Sequence, residues 1–183
     1  MYKRQAYRYF VGNGIPKLVE RLAPADQRTP AVLEAALADF KRDYGQHLRD
    51  TTAPYPGIPE MLAKLKANGV QLAVFSNKAD ALAKEVVKDY FGTQYFTIVR
   101  GQMTGVAPKP AAEGTNALLQ ALHADPASTL YVGDSNVDVE TAHNANLPCC
   151  GAVWGFRTRE ELNAAGAEYL AENSDELYDV ITK

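Results

Sequence analysis

Three short stretches hold the residues whose types and placing could do chemistry: Phe75-Ser76-Asn77-Lys78, Ala107-Pro108-Lys109-Pro110 and Val132-Gly133-Asp134-Ser135-Asn136-Val137-Asp138. In the last, the apolar run Leu130 to Val132 passes through Gly-Asp-Ser into a helix-compatible segment, Asn136 to Asn146, which is the strand-to-helix switch of an α/β protein. Ligands in such sheets bind beyond the carboxyl ends of the strands, so Asp134 would stand where chemistry happens. Its carboxylate is a hard oxygen donor of the kind Mg2+ takes one or two of, keeping other positions for water and substrate phosphate. Asp138 would lie one helical turn on, along the same face. The competing reading makes Asp134 a turn residue and Ser135 or Asn136 a helix N-cap.

Ser76 follows an apolar strand directly, which aims its hydroxyl and the amides of Asn77 and Lys78 into the same crevice, where donors can hold a phosphate. An ordinary Ser-Asn cap explains the pair as well. Lys109 stands between two prolines that restrict the backbone on both sides, so a long cationic side chain is carried on a stiff loop. A surface lysine in a proline-rich turn is the alternative. Taken together, a hydroxyl, a lysine and a carboxylate, each just after a strand, would make the electrostatic clamp that phosphoryl transfer needs.

The elements that must position these groups are legible from spacing. Apolar residues at Tyr7, Phe10, Val11, Ile15, Leu18, Val19 and Leu22 suit two short helical pieces bent at Gly12-Asn13-Gly14. Thr29-Pro30 starts a helix over Ala31 to His47 with Val32, Leu33, Ala36, Leu37, Phe40 and Tyr44 on one face. The turn-rich run Asp50 to Gly57 reads as a linker. Beyond it, helices over 58–68, 79–90, 110–123, 136–146, 160–165 and 175–182 alternate with strands over 70–75, 95–99, 130–132 and 149–153 and a short apolar segment at Tyr169-Leu170. That alternation predicts a doubly wound parallel sheet. The expected organisation is a helical cap over 1–50, a linker over 51–57 and an α/β core over 58–183.

With 183 residues, 46% of them hydrophobic and 22% charged, the chain can bury a real core. A formal charge of −3 gives no global case for nucleic acid or an anionic membrane. No apolar run nears the ~20 residues of a membrane span, and no signal-peptide core follows Met1. A cytoplasmic setting is therefore expected. Cys149 and Cys150 are neighbours in an apolar run, which suits a reduced, buried strand better than a disulfide or zinc site.

The three motifs resemble the second, third and fourth motifs of haloacid dehalogenase (HAD) superfamily phosphatases, and their spacing behind Tyr55-Pro56-Gly57 and a helical segment is similar to phosphoglycolate phosphatases. The resemblance covers nearly the whole chain. It implies a HAD-like, Rossmann-like α/β sheet with a small helical cap, and a Mg2+-dependent phosphomonoester hydrolase acting on a small phosphorylated metabolite. It also implies roles: Ser76 and Lys109 catalytic and phosphate-binding, Asn77 beside them on the substrate, Asp134 on the metal, and Asp138 orienting the metal's surroundings. That family's first motif, Asp-x-Asp-x-Thr after a central strand, supplies the nucleophile, and this sequence contains no Asp-x-Asp. Its earlier aspartates, Asp26, Asp39, Asp43 and Asp50, all lie in helical or linker context. The expectation is a fragment, inactive as written, whose strands ending at Ser76 and Asp134 stand apart and whose open edges invite self-association. The alternative is a non-catalytic phosphate-binding or interaction domain.

Overall fold

The computed structural model describes residues 4–183. The chain divides into two units, Met1–Ala53 and Pro54–Lys183. Residues 1–3 of the expected cap lie outside the described residues.

In the first unit a 3-10 helix, Arg4–Tyr9, is followed by α1, Ile15–Leu22, and α2, Pro30–Gln46. The bend between the first two is made by Gly12 (φ 111°) and Gly14 (φ 85°), backbone geometry that a side chain resists. Arg21 donates to the Phe10 carbonyl at 3.0 Å and so ties the bend to α1. Thr29 caps α2 through the amide of Val32, with Pro30 in the first turn. The expected apolar face of α2 is only half-buried at Leu33, Ala36, Leu37, Phe40 and Tyr44, and Val32 is exposed.

The second unit begins with α3, Ile58–Ala67, after Gly57 in the left-handed region at φ 76°. Strands and helices then alternate: β1 Leu72–Ala79, α4 Asp80–Phe91, β2 Phe96–Gln102, α5 Glu113–Leu122, β3 Tyr131–Gly133, α6 Asn136–Asn144, β4 Cys149–Ala152, α7 Arg159–Ala164, β5 Tyr169–Ala171 and α8 Ser174–Thr182. All ladders are parallel, as expected of an α/β fold in which strands and helices alternate. No helix among the described residues is long and apolar enough to cross a membrane.

The strands form two sheets, β1-β2 and β3-β4-β5. Val74 pairs with Val99 and Val132 with Cys150, and among the described residues no ladder joins β1 to β3. β3 accordingly has an uncovered edge: Val132 at its centre is 39% exposed, whereas Cys150 beside it on β4 is fully buried. The two sheets are nonetheless held together. Met61, Leu62 and Leu65 of α3 form one apolar cluster with Cys150, Ala171 and Leu177, against which Leu72 of β1, Phe96 of β2 and Leu130 before β3 all pack. On the opposite face Leu119, Val139, Ala142, Leu147, Cys149 and Leu162 make a second cluster. Adjacent strand residues point to opposite faces, so Cys149 and Cys150 serve one cluster each.

Two elements differ from the spacing-based reading in ways that matter for the site. β1 does not stop at Phe75 but runs through Ser76, Asn77 and Lys78 to Ala79, with its register slipping between Phe75 and Ala79. Such a bulge leaves residues unpaired and re-aims their side chains. Gly101 on β2 accommodates it, because any Cβ there would strike the Lys78 carbonyl. Helix α5 starts at Glu113 and not at Pro110, since Ala111 closes a turn onto the Pro108 carbonyl at 3.0 Å instead.

Candidate active site at the carboxyl ends of the strands

Asp138 is the hub. It is 7% exposed, and its Oδ2 accepts from the Ser135 hydroxyl at 2.6 Å, the Ser135 amide at 3.1 Å and the Asp134 amide at 3.3 Å. Ser135 and Asp138 thereby form a capping box at the start of α6. The other oxygen, Oδ1, accepts from the Lys109 ammonium at 2.6 Å. Gly133 makes this possible, because a Cβ there would fall on the Asp138 side chain.

Lys109 reaches this carboxylate from a loop that other residues hold. Its amide donates to Asn77 Oδ1 at 2.8 Å and its carbonyl accepts from Asn77 Nδ2 at 3.2 Å. The Pro110 carbonyl accepts from Asn144 at the end of α6 at 2.9 Å. At the tip, the ammonium lies 3.5 Å from the Phe75 carbonyl and 5.9 Å from the ring centres of Phe75 and Tyr131. Burial pulls the Lys109 pKa down, but the Asp138 carboxylate and Tyr131 more than offset it, and the net direction is upward. The ammonium is therefore a permanent charge at neutral pH. Burial pushes the Tyr131 phenol up to about 12, so its neighbour stays uncharged.

Asp134 follows β3 directly. The loop after β4 closes on it: the Phe156 amide donates to Asp134 Oδ2 at 3.2 Å, the Arg157 amide donates to its carbonyl at 3.1 Å, and Gly155 lies so close that a Cβ would overlap the carboxylate. Burial, and then the charge of Asp138, raise the Asp134 pKa. A cation beside it would reverse that direction. Among the described residues no group of three or more His, Cys, Asp or Glu side chains is arranged to hold a metal. Asp134 alone is half a Mg2+ site at best, since that ion keeps close to ideal octahedral geometry. The cysteines offer nothing further: burial pushes Cys149 up to about 12 and Cys150 to about 11, far from thiolate character at neutral pH.

Ser76 lies in the β1 bulge between Phe75, whose carbonyl meets Lys109, and Asn77, and its Oγ accepts from the Lys78 amide at 3.1 Å. Of the residues singled out from the sequence, Lys109, Asp134, Asp138 and Asn77 are thus joined in one bonded network, and Ser76 is built into its edge. Asn77, expected on the substrate, spends both side-chain polar atoms on the Lys109 backbone. Gly155 and the Phe156 amide escaped the sequence reading. Their signal was available: they follow β4 at its carboxyl end, the same rule that located Asp134.

A family model described as haloacid dehalogenase-like hydrolase matches residues 1–152. The chain belongs to this family. Within it the similarity is to proteins named phosphoglycolate phosphatase. That of Neisseria meningitidis is 30% identical over 176 residues, covering 93% of this chain and 75% of the relative. The plasmid-encoded one of Cupriavidus necator is 31% identical over 174 residues, covering 94% and 75%. A crystal structure of a Lactobacillus delbrueckii subsp. bulgaricus protein superposes with a TM-score of 0.91 at 26% identity, covering 98% of this chain and 83% of that one. The haloacid dehalogenase-like hydrolase fold thus extends over almost everything described above.

Proposed function

We propose that this chain carries the phosphate-binding and part of the metal-binding half of a Mg2+-dependent phosphomonoester hydrolase of the phosphoglycolate phosphatase type. The observation that carries the reading is the fixed Lys109 ammonium, 2.6 Å from Asp138 and one bonded step from Asp134, at the carboxyl ends of parallel strands. Phosphate esters are what such a site suits, because a buried cation can neutralise a phosphoryl oxygen where water cannot. Lys109 holds that charge in place, and Ser76 in the bulge offers a hydroxyl donor. Asp134 supplies one carboxylate to the cation, which when bound withdraws charge from the phosphate. The names of the relatives make 2-phosphoglycolate the first substrate to test.

None of these residues is a nucleophile placed to attack phosphorus. The uncovered edge of β3 and the unjoined β1 support a further proposal: the working sheet contains one more strand between them, ending in Asp-x-Asp-x-Thr, whose aspartate would attack phosphorus and expel the alcohol, giving an aspartyl-phosphate that water hydrolyses to phosphate and free aspartate. In its absence we expect the open edges to self-associate in size-exclusion chromatography. The absence of Asp-x-Asp from the sequence favours a second reading, a phosphate-binding or interaction domain without turnover.

Phosphate release from 2-phosphoglycolate and p-nitrophenyl phosphate with Mg2+ separates the two. The chain as written is expected to stay far below the ~1–10³ s⁻¹ typical of enzymes. A fusion carrying a family-like strand and first cap helix ahead of Tyr7 is expected to turn over. A well-folded but inert fusion would favour the binding domain, and robust Mg2+-dependent turnover by the unextended chain would remove the need for an added strand.

A further inference from the structure

We propose that Asn77 is a positioning residue for Lys109: its side-chain amide fixes the peptide from which the ammonium is presented. Asn77 is 9% exposed, and its two polar atoms meet the N–H and the C=O of the same residue, at 2.8 Å and 3.2 Å. This is the pairing a neighbouring strand would give, made here by a side chain.

The sequence around Lys109 explains why a side chain is needed. Pro108 and Pro110 have no N–H, so the Lys109 amide is the single backbone donor across three residues, and no ladder or helix can seize this loop by its donors. Asn77 takes that one donor. The bulge in β1 is what turns Asn77 toward the loop, since regular pairing lapses between Phe75 and Ala79. The same strand then receives the other end of the lysine, whose ammonium lies 3.5 Å from the Phe75 carbonyl. Lys109 is therefore held at root and tip by residues only two apart on β1, which sets the arc of its side chain and the 2.6 Å approach to Asp138. Release of the root would let the loop drift while leaving every apolar cluster intact, since Asn77 belongs to neither. The same two bonds hold the Asn77 carboxamide in one orientation, toward the Lys109 peptide.

This deepens the phosphatase reading, and it rests on that reading only for what Lys109 holds. The test is amide hydrogen exchange by NMR on the full chain, in the wild type and in Asn77→Ala, Asn77→Leu and Asn77→Asp. In the wild type the Lys109 amide should be protected. Asn77→Ala and the near-isosteric, apolar Asn77→Leu should lower that protection about tenfold, while the Val74, Val99 and Cys150 amides stay as they were. Asn77→Asp keeps the acceptor for the Lys109 N–H and should restore most of the protection. Acylation of Lys109 by an amine reagent, read by peptide mass, should rise in the Ala and Leu variants and not in Asp. Unchanged Lys109 exchange in both Ala and Leu variants would overturn the proposal. So would a loss shared equally by Val74, Val99 and Cys150, which is what a merely structural residue gives. No turnover enters this experiment, so its failure leaves the hydrolase reading standing, and an inert fusion leaves the clamp standing.

Discussion

Replacing Asp138 by Ala should be the most damaging single change to the site, and the structure allows its cost to be worked out. Asp138 accepts four hydrogen bonds, from Lys109, the Ser135 hydroxyl and the amides of Ser135 and Asp134. The side chains of Asp138 and Lys109 are each only 10% exposed, so solvent screens the pair little. Removing one partner of a buried ion pair strands the other charge, at about 3–5 kcal/mol. Loss of the capping box adds about 1 kcal/mol. The sum is a large share of the ~5–15 kcal/mol by which domains are stable. Much of that cost belongs to the stranded ammonium, so Lys109→Met in the same chain should recover a substantial part of it, while Lys109→Met alone strands the carboxylate and is destabilising itself. Urea unfolding of wild type, both single variants and the double variant gives the coupling energy directly, expected at about 2–3 kcal/mol. A coupling below about 0.5 kcal/mol, with folded and cooperative variants, would refute the reasoning: the pair would then be an incidental contact, and Lys109 would need another anchor.

Three further outcomes follow from the same geometry. The Lys109 pKa is raised above its ordinary 10.5, so its protonation contributes stability that is complete below that value and is lost as pH rises through the higher folded value; alkaline melting curves should fall more steeply in wild type than in the Lys109→Met, Asp138→Leu double variant, where only the buried Tyr131, Cys149 and Cys150, also raised, keep a dependence in that range. Gly133→Ala places a Cβ on the Asp138 side chain and should cost about 1–3 kcal/mol in urea unfolding, although Gly133 contributes no bond to the site. Calorimetry should find weak Mg2+ binding to the chain, weaker still in Asp134→Asn and little changed in Cys149→Ser, whose thiol is buried and unavailable.

The fold was legible where local chemistry and tertiary demand agree. The helices that start at Thr29, Ser135, Thr158 and Asn173 carry capping side chains, and all four begin within a residue or so of where spacing places them. It was less legible where tertiary contacts override local signals. Ser76-Asn77-Lys78 looks like the end of a strand because it is polar, yet β1 continues through it by slipping register against β2. Pro110 looks like a helix start, yet α5 waits for Glu113 while the loop before it serves Lys109. The site divides in the same way. Lys109, Asp134 and Asp138 announce themselves by residue type and by position after strands. The Asn77 clamp does not, because a side chain bonding to a distant backbone leaves no mark in composition or spacing, whereas the Phe156 amide was open to the same position-after-a-strand rule. The half-buried stripe on α2 shows the remaining limit: periodicity locates an apolar face but does not say how completely it is covered.

The central claim is that Lys109, held between Asp138 and β1, is the charge that a phosphate ester meets. Its most direct test is kcat/KM for 2-phosphoglycolate in the strand-completed fusion, measured with Mg2+ beside the same fusion carrying Lys109→Ala. Loss of a preorganised charge of this kind should lower kcat/KM by about 10²–10³. An active fusion whose kcat/KM is unmoved by Lys109→Ala would contradict the account.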